Sequence, residues 1–271
     1  PFRHGDRSEN VWDARVTLAT IGQCSQLGGK LGGGSQMKAE IAIVIPTWQE
    51  SGTVLACLQQ FERQALPFEV IVSDGGSPDG TEAIALNYLK SCPYSLDVAV
   101  SPERGRAAQM NWGATQTTAD ILLFLHADSR LPVDGLQAIR DVLADAEAIG
   151  GRFQVRLDAT EWPYSAISWG INARSRLTGL FTGDMGIFIR RSVLEQLGGF
   201  PAQVLLEDLE MSKRMQRAGR VAFLSSEMTT SSRRWQQGGA WRTVALMQCI
   251  RYGYHLGIAP ERLAEWYATV R

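Results

Sequence analysis

Ile41-Ala42-Ile43-Val44-Ile45-Pro46-Thr47-Trp48-Gln49-Glu50 is the stretch from which the rest of the chain can be read. Its first five residues are apolar and mostly β-branched, which predicts a buried strand, and Pro46 is expected to stop it. Thr47, Trp48, Gln49 and Glu50 then stand where a strand hands over to a helix. They are candidates to line a ligand pocket, and a plain strand-to-helix turn accounts for them equally well.

Moving toward the C-terminus, residues 53–64 carry apolar side chains at helical spacing (Val54, Leu55, Leu58, Phe61). Residues 68–72 read as a strand, 81–89 as a helix, 96–100 as a strand, 107–117 as a helix and 121–125 as a fourth strand. This alternation, with continuous apolar strands, predicts an α/β fold with a mostly parallel sheet flanked by helices. Such sheets bind ligands beyond the carboxyl ends of their strands, so the chemistry is expected just after each strand. Past Leu131 the alternation weakens. There 151–157 reads as a strand, 164–177 as a helix, 187–190 as a short strand and 208–217 as a helix. An amphipathic helix over 240–254 and another over 261–267 close the chain.

Moving toward the N-terminus, residues 1–37 are polar, aperiodic and end in Gly28-Gly29-Lys30-Leu31-Gly32-Gly33-Gly34-Ser35. That composition predicts a disordered leader or linker, with a short docking segment as the other reading. The domain plan is therefore 1–37 leader, 38–238 main domain and 239–271 C-terminal amphipathic helical extension.

The 271 residues are 45% hydrophobic and 20% charged, enough to bury a substantial core. A formal net charge of -1 excludes nucleic-acid binding driven by bulk positive charge. Cys24, Cys57, Cys92 and Cys249 are scattered without metal-ligand spacing, which fits reduced thiols and a cytoplasmic location. No apolar run approaches the roughly 18 to 20 residues of a membrane span. In the last amphipathic stretch Trp241, Val244, Ala245, Met247, Gln248 and Ile250, beside Arg242 and Arg251, leave three partners open. They are the inner face of the membrane, the domain itself and a second copy in a homodimer.

Three strand or helix ends carry unusual chemistry. Ser73-Asp74-Gly75-Gly76-Ser77-Pro78-Asp79-Gly80-Thr81 is a turn whose glycines allow close backbone approach to a ligand. Asp74 is suited to accept hydrogen bonds from a base or a sugar hydroxyl, and Asp79 to cap the next helix. The adjacent glycines do not make a dinucleotide fingerprint. His126-Ala127-Asp128 ends the fourth strand, and a carboxylate delivered to a sheet edge suits Mg²⁺ or Mn²⁺. His126 reads as a packing residue rather than a ligand. Glu207-Asp208 opens a helix, where acids favour the helix dipole or supply a general base.

Taken in order, these motifs resemble the family 2 glycosyltransferases of GT-A fold, over nearly all of residues 41–241. Within that family the chain looks most like the branch labelled arsenosugar-biosynthesis or radical-SAM/selenodomain-associated. Gly105-Arg106-Ala107-Ala108-Gln109-Met110-Asn111, Arg174-Ser175-Arg176-Leu177-Thr178-Gly179, Thr182-Gly183-Asp184 and Thr230-Ser231-Ser232-Arg233-Arg234-Trp235 carry that likeness. The resemblance implies a nucleotide-sugar donor, UDP-linked first, an unidentified small or lipid-linked acceptor and an inverting transfer. It implies that Pro46, Thr47 and Glu50 border the nucleotide, that Asp74 and its Gly75 turn meet uracil or ribose, and that Arg104 or Arg106 meets the base or diphosphate. Asp128 would hold Mn²⁺ or Mg²⁺, and Asp208, beside Glu207, would be the catalytic base. Gly183 and Asp184 would face donor sugar or acceptor. Arg234 and Trp235 are candidates to shape the diphosphate side or a sugar-stacking face, and ordinary packing accounts for them equally well. The sequence departs from the family where His126 stands in place of the first acid of the metal motif. A nucleotide-binding regulatory module without turnover therefore stays open. A nucleotidyltransferase would require a Gly-rich cationic loop that residues 46–50 lack.

Overall fold

The computed structural model describes residues 39–268, so the expected leader over residues 1–37 lies outside the described residues. Along the chain run β1 (Ile41–Thr47), α1 (Val54–Gln59), β2 (Phe68–Asp74), α2 (Thr81–Leu89), β3 (Ser95–Val100), α3 (Arg106–Thr115) and β4 (Ile121–Phe124). Then come β5 (Ser129–Arg130), α4 (Gly135–Leu143), β6 (Ala148–Leu157), α5 (Trp162–Thr178), β7 (Ile187–Arg190), α6 (Arg191–Gln196) and α7 (Glu207–Ala218). The chain continues through β8 (Arg220–Thr230), α8 (Arg233–Gly238), α9 (Ala240–His255) and α10 (Pro260–Ala268).

The apolar run of β1 is buried on both faces because it lies inside the sheet, between β2 and β4 and parallel to both. Ile41, Ile43 and Ile45 enter one core with Val54 and Leu58 of α1 and Phe61 of the 3-10 turn that follows it. Ala42 and Val44 face the other core, with Met110 of α3 and Met211 of α7. Pro46 does not stop the strand, which runs on to Thr47 with Pro46 opposite Ser73. Proline lacks only the amide donor, and its fixed φ suits an extended chain.

The sheet order is β3-β2-β1-β4-β7-β6-β8-β5. The first four strands are parallel, β7 runs antiparallel to β4 and β6, and β6 pairs parallel with β8. Antiparallel pairing of β7 with β4 brings the segment before Ile187 to the carboxyl end of β4. β6 is pressed between two neighbours at a glycine pair. A Cβ on Gly150 would lie 2.4 Å from the Phe188 carbonyl oxygen, and one on Gly151 would lie 2.3 Å from that of Ala222.

The periodicity reading missed the short elements β5, α6 and α8 and two longer ones, β8 and α4. β8 has a ragged burial pattern, without the continuous apolar run that marks β1. α4 opens on Gly135, yet Leu136, Ile139 and Leu143 give it a helical apolar face. The antiparallel β5–β8 pair, with Ser129 opposite Thr230, draws the start of α8 to the end of β4. Ser232 fixes that junction by donating from its amide and hydroxyl to Asp158 Oδ1, at 2.8 and 2.5 Å.

α9 packs on α5, α8 and α10. Of the residues offered for a bilayer surface, Ile250 is buried, so that expectation is corrected for it. Trp241 is exposed and stacks on exposed Trp162, ring centroids 5.6 Å apart. No helix among the described residues is long and apolar enough to cross a membrane.

Candidate active site

The carboxyl ends of β1 and β2 form one braced loop system. Thr47 and Asp74 sit opposite each other in register, and the Thr47 hydroxyl donates to Asp74 Oδ2 at 2.7 Å. Asp74 is fully buried. It also accepts from the amides of Gly76 and Ser77 (2.9 and 2.6 Å) and from the Ser77 hydroxyl (2.7 Å). Its oxygens thus organise the Gly75 turn, a structural use that the sequence reading did not assign.

Asp79 accepts from the Thr81 hydroxyl and amide and from the Ser51 amide. Chiefly through the Thr81 hydroxyl, these donors lower its pKa to about 2. Asp79 thus holds the start of α2, as expected, and ties it to the loop after β1. Glu50 donates its amide to Thr81 Oγ1 and accepts from the Thr53 hydroxyl at 2.6 Å, which anchors the start of α1. Gln49, in the same loop, has φ of +56°, and Leu206, before Glu207, has φ of +65°. Both of the non-glycine residues held at positive φ among the described residues therefore border this site, where such strain is characteristically stored.

Beside the Gly75 turn, the Arg104 guanidinium lies 4.6 Å from the centroid of the Trp48 ring. Buried Gln109, which the sequence reading gave no role, donates to the carbonyls of Thr47 (2.7 Å) and Ser73 (2.8 Å). It stitches β1, β2 and α3 together beneath this shelf. Arg106 takes a different place. Its Nη1 is 3.1 Å from Glu207 Oε1, and Glu207 is 2% exposed. Burial opposes the Arg106 charge, but Glu207 and Asp208 more than offset it and its pKa rises. Of the two arginines proposed for the nucleotide, the structure puts Arg104 at the aromatic shelf and Arg106 on the acid pair.

Asp128, Asp184 and Asp208 come from three segments, the end of β4, the 3-10 turn Gly183–Met185 and the first turn of α7, and Asp184 acts on each of the other two. Desolvation raises the Asp128 pKa, Arg234 and Arg233 pull it back, and Asp184 raises it further. Asp208 Oδ2 accepts from the Gly183 amide at 2.7 Å, and Oδ1 from the Leu209 amide at 2.6 Å. Burial, with Glu207 beside it, pushes the Asp208 pKa up to about 6, against the pull of Arg106. A carboxylate poised there can take a proton near neutral pH. The Thr182 hydroxyl donates to Asp184.

His126 stays neutral: burial first, then Arg106 and Arg234, hold its pKa well below the ordinary range. A Cβ on Gly183 would fall 2.6 Å from His126 Nε2 and 3.4 Å from Asp208 Oδ2. His126 is thus the packing surface for the turn that aims Asp184 and supports Asp208. Gly183→Ala is expected to displace that turn and lower turnover by up to about 10²-fold, the cost of misplacing a reacting group by about 1 Å. Nucleotide affinity should hold, and steady-state kinetics beside a binding titration checks the split.

Among the described residues no group of three or more His, Cys, Asp or Glu side chains is placed to hold a metal ion. The residues present fit a cation that takes one carboxylate, Asp128, and completes its shell with substrate phosphate and water, as Mg²⁺ and Mn²⁺ do.

The C-terminal helices border the site. Arg234 of α8 stacks on Tyr267 of α10, 5.0 Å from the ring centroid, and Trp235 is half-buried. Tyr254 of α9 donates to Glu210 of α7 at 3.1 Å. Arg174 of α5 and Arg251 of α9, neither of them a sequence candidate for the site, both feel Asp184 and Asp208.

Residues 42–198 match the model of Glycosyl transferase family 2. The glycosyltransferase AglE of Haloferax volcanii is 26% identical over 197 residues, 66% of this chain and 62% of the relative. The undecaprenyl-phosphate 4-deoxy-4-formamido-L-arabinose transferase of Sodalis glossinidius is 31% identical over 163 residues, 56% of this chain and 48% of the relative. The chain thus spans about half to two-thirds of the length of these curated relatives. Among solved structures, the mannosyltransferase PcManGT from Pyrobaculum calidifontis, in complex with GDP-Man and Mn²⁺, superposes with a TM-score of 0.64 at 23% identity, covering 86% of this chain and 70% of that one. S. aureus TarS 1-349 in complex with UDP gives 0.55 at 20% identity, covering 72% and 61%. The fold is that of the GT-A transferases, a curled mixed sheet flanked by helices.

Proposed function

This chain belongs to glycosyl transferase family 2, and from that membership we propose that it transfers a sugar from a nucleoside diphosphate donor, UDP-linked first, to an acceptor hydroxyl with inversion. The observation that carries the reading is that Asp184 acts on both Asp128 and Asp208, which brings the end of β4 and the start of α7 to one acidic site. Trp48 and Arg104, above the turn that Asp74 organises, form the shelf for the base, with Pro46, Thr47, Glu50 and Gly75 around it. Arg233 and Arg234 stand at the Asp128 end, where the diphosphate would lie.

In the reaction, Asp208 accepts the proton of the acceptor hydroxyl as its oxygen attacks the anomeric carbon. The bond from that carbon to the diphosphate oxygen breaks, and the nucleoside diphosphate leaves with the electron pair. A divalent cation at Asp128, Mn²⁺ or Mg²⁺, supplies charge neutralisation on the leaving group when bound. Arg233 and Arg234 add to it. Gly183 and Leu209 hold Asp208 through their amides, which leaves lone pairs on each carboxylate oxygen for the hydroxyl.

Incubating the full chain with UDP-, GDP- and dTDP-sugars and measuring released nucleoside diphosphate tests the proposal. Release from one donor class, raised by an added acceptor, supports it. Binding of a nucleotide without release from any donor would move the chain to the regulatory reading. The motif stretches that include Gly105, Arg174 and Arg233 are the ground for placing the chain in the arsenosugar-associated branch of the family.

A peripheral membrane contact completes the reading, and its support is the exposed aromatic face of α5 and α9. Trp162, Trp169 and Trp241 are 70%, 74% and 54% exposed. Co-sedimentation with anionic vesicles is expected for the wild type and should fall several-fold in the Trp162→Ala/Trp241→Ala double variant. A concentration-dependent dimer that loses assembly in the same variant would assign the face to a second copy instead.

A further inference from the structure

Besides Arg104 and Arg106, four arginines among the described residues act at the site, in two pairs. Arg233 and Arg234 act on Asp128, whereas Arg174 and Arg251 act on Asp184 and Asp208. The second pair comes from two helices packed against each other, α5 and α9. Arg174 donates from Nη1 to the Leu180 carbonyl at 3.3 Å. Its Nε and Nη2, and Nε of Arg251, are buried without a hydrogen-bond partner. Buried donors are nearly always satisfied, and a set that is not calls for a ligand or water to complete it. Burial lowers the pKa of both guanidinium groups, and Arg174 lowers that of Arg251 further. Asp184 and Asp208 offset part of that cost electrostatically, but neither accepts a hydrogen bond from these three N–H groups. Asp184 accepts from Thr182, and Asp208 from two backbone amides.

We propose that Arg174 and Arg251 form an oxyanion subsite at the Asp208 end of the active site, and that the acceptor carries the phosphate or carboxylate it holds. The assignment to the acceptor rests on the transferase reading, which puts the donor diphosphate at Asp128 and the attacking hydroxyl at Asp208. A guanidinium presents paired N–H donors that match two oxygens of one oxyanion, and an anion between two guanidinium groups also cancels their repulsion. An acidic group anchored there would orient the neighbouring hydroxyl toward Asp208.

The test is thermal unfolding of the full chain in sodium phosphate, sodium acetate or sodium chloride at matched ionic strength, with and without saturating UDP and Mg²⁺. Phosphate or acetate should raise the midpoint over chloride by about 2–4 °C in both settings. The gain should vanish in Arg174→Met and Arg251→Met and persist in Arg176→Gln, an exposed position on the same helix. Methionine removes an unsatisfied buried charge, so both variants should unfold in chloride no earlier than wild type. Should either fail to fold, Arg251→Lys, which keeps one charge, is expected to retain part of the gain.

Response to phosphate alone would identify a phosphorylated acceptor, and response to acetate alone a carboxylate. An unchanged wild-type midpoint in both anions, or a gain that survives both methionine variants, would overturn the subsite. The rise caused by UDP and Mg²⁺ is read in the same experiment. Its absence, with GDP and dTDP also without effect, would count against the transferase reading, and a rise with any of the three without an oxyanion response would count against the subsite alone.

Discussion

Asp208→Asn is expected to lower kcat by about 10²–10⁴-fold, the usual worth of a positioned general base, with nucleotide affinity unchanged. Asparagine keeps the shape and one carbonyl acceptor for the Gly183 or Leu209 amide, but it cannot take a proton from the acceptor. Wild-type turnover should rise with pH through about 6, where burial and Glu207 place the Asp208 carboxyl, and then level off. The variant should lack that limb.

Stability should move the other way. The folded chain holds the Asp208 proton more tightly than the unfolded chain, where the ordinary value is 3.8. The stabilisation from that proton is complete below the unfolded value and is lost as pH rises through the folded one. At pH about 8 the buried anion therefore costs stability, and Asp208→Asn should unfold at higher denaturant than wild type, by on the order of 1 kcal/mol. At pH about 4 the advantage should disappear. Urea titrations at the two pH values measure this, and a variant less stable than wild type at both would contradict a desolvated, ionised Asp208.

Asp128→Ala should abolish metal-dependent nucleotide binding and reduce transfer by about 10³-fold or more, since several kcal/mol of leaving-group stabilisation depend on that position. The site has no alternative ligand set. His126 is neutral but packed against Gly183, and among the described residues no cluster of three ligating side chains exists. Nucleotide should still bind weakly in the variant, through the Trp48–Arg104 shelf and the arginines of α8. Equal nucleotide affinity in variant and wild type with Mn²⁺ present would remove Asp128 from this role.

Much of this site is legible one strand at a time. A run such as Ile41–Ile45 has one stable home, the inside of a covered sheet, and parallel strands place whatever follows them on one edge. Asp128 and the Gly75 turn are found that way. What single strands do not reveal is which side chains meet across the sheet. Arg106 and Glu207 are 101 residues apart, so nothing near Arg106 signals that it meets the acid pair. Asp74 looks like a ligand contact because an acid at a strand end is costly without a partner. Here its partners include two amides and the Ser77 hydroxyl of its own turn and the Thr47 hydroxyl of β1. Arg174 and Arg251 lie on helices whose other charged residues face water, and only the packing of α9 on α5 separates them from ordinary surface arginines.

Calorimetric titration of the full chain with UDP, GDP and dTDP, each with and without Mn²⁺, tests the central claim most directly. The account predicts that one nucleoside diphosphate binds, that Mn²⁺ strengthens its binding at least tenfold, and that Mn²⁺ alone gives no heat of binding. Failure of all three nucleotides to bind under either condition would contradict it, and the GT-A fold would then be carried by a chain that does not use it for transfer.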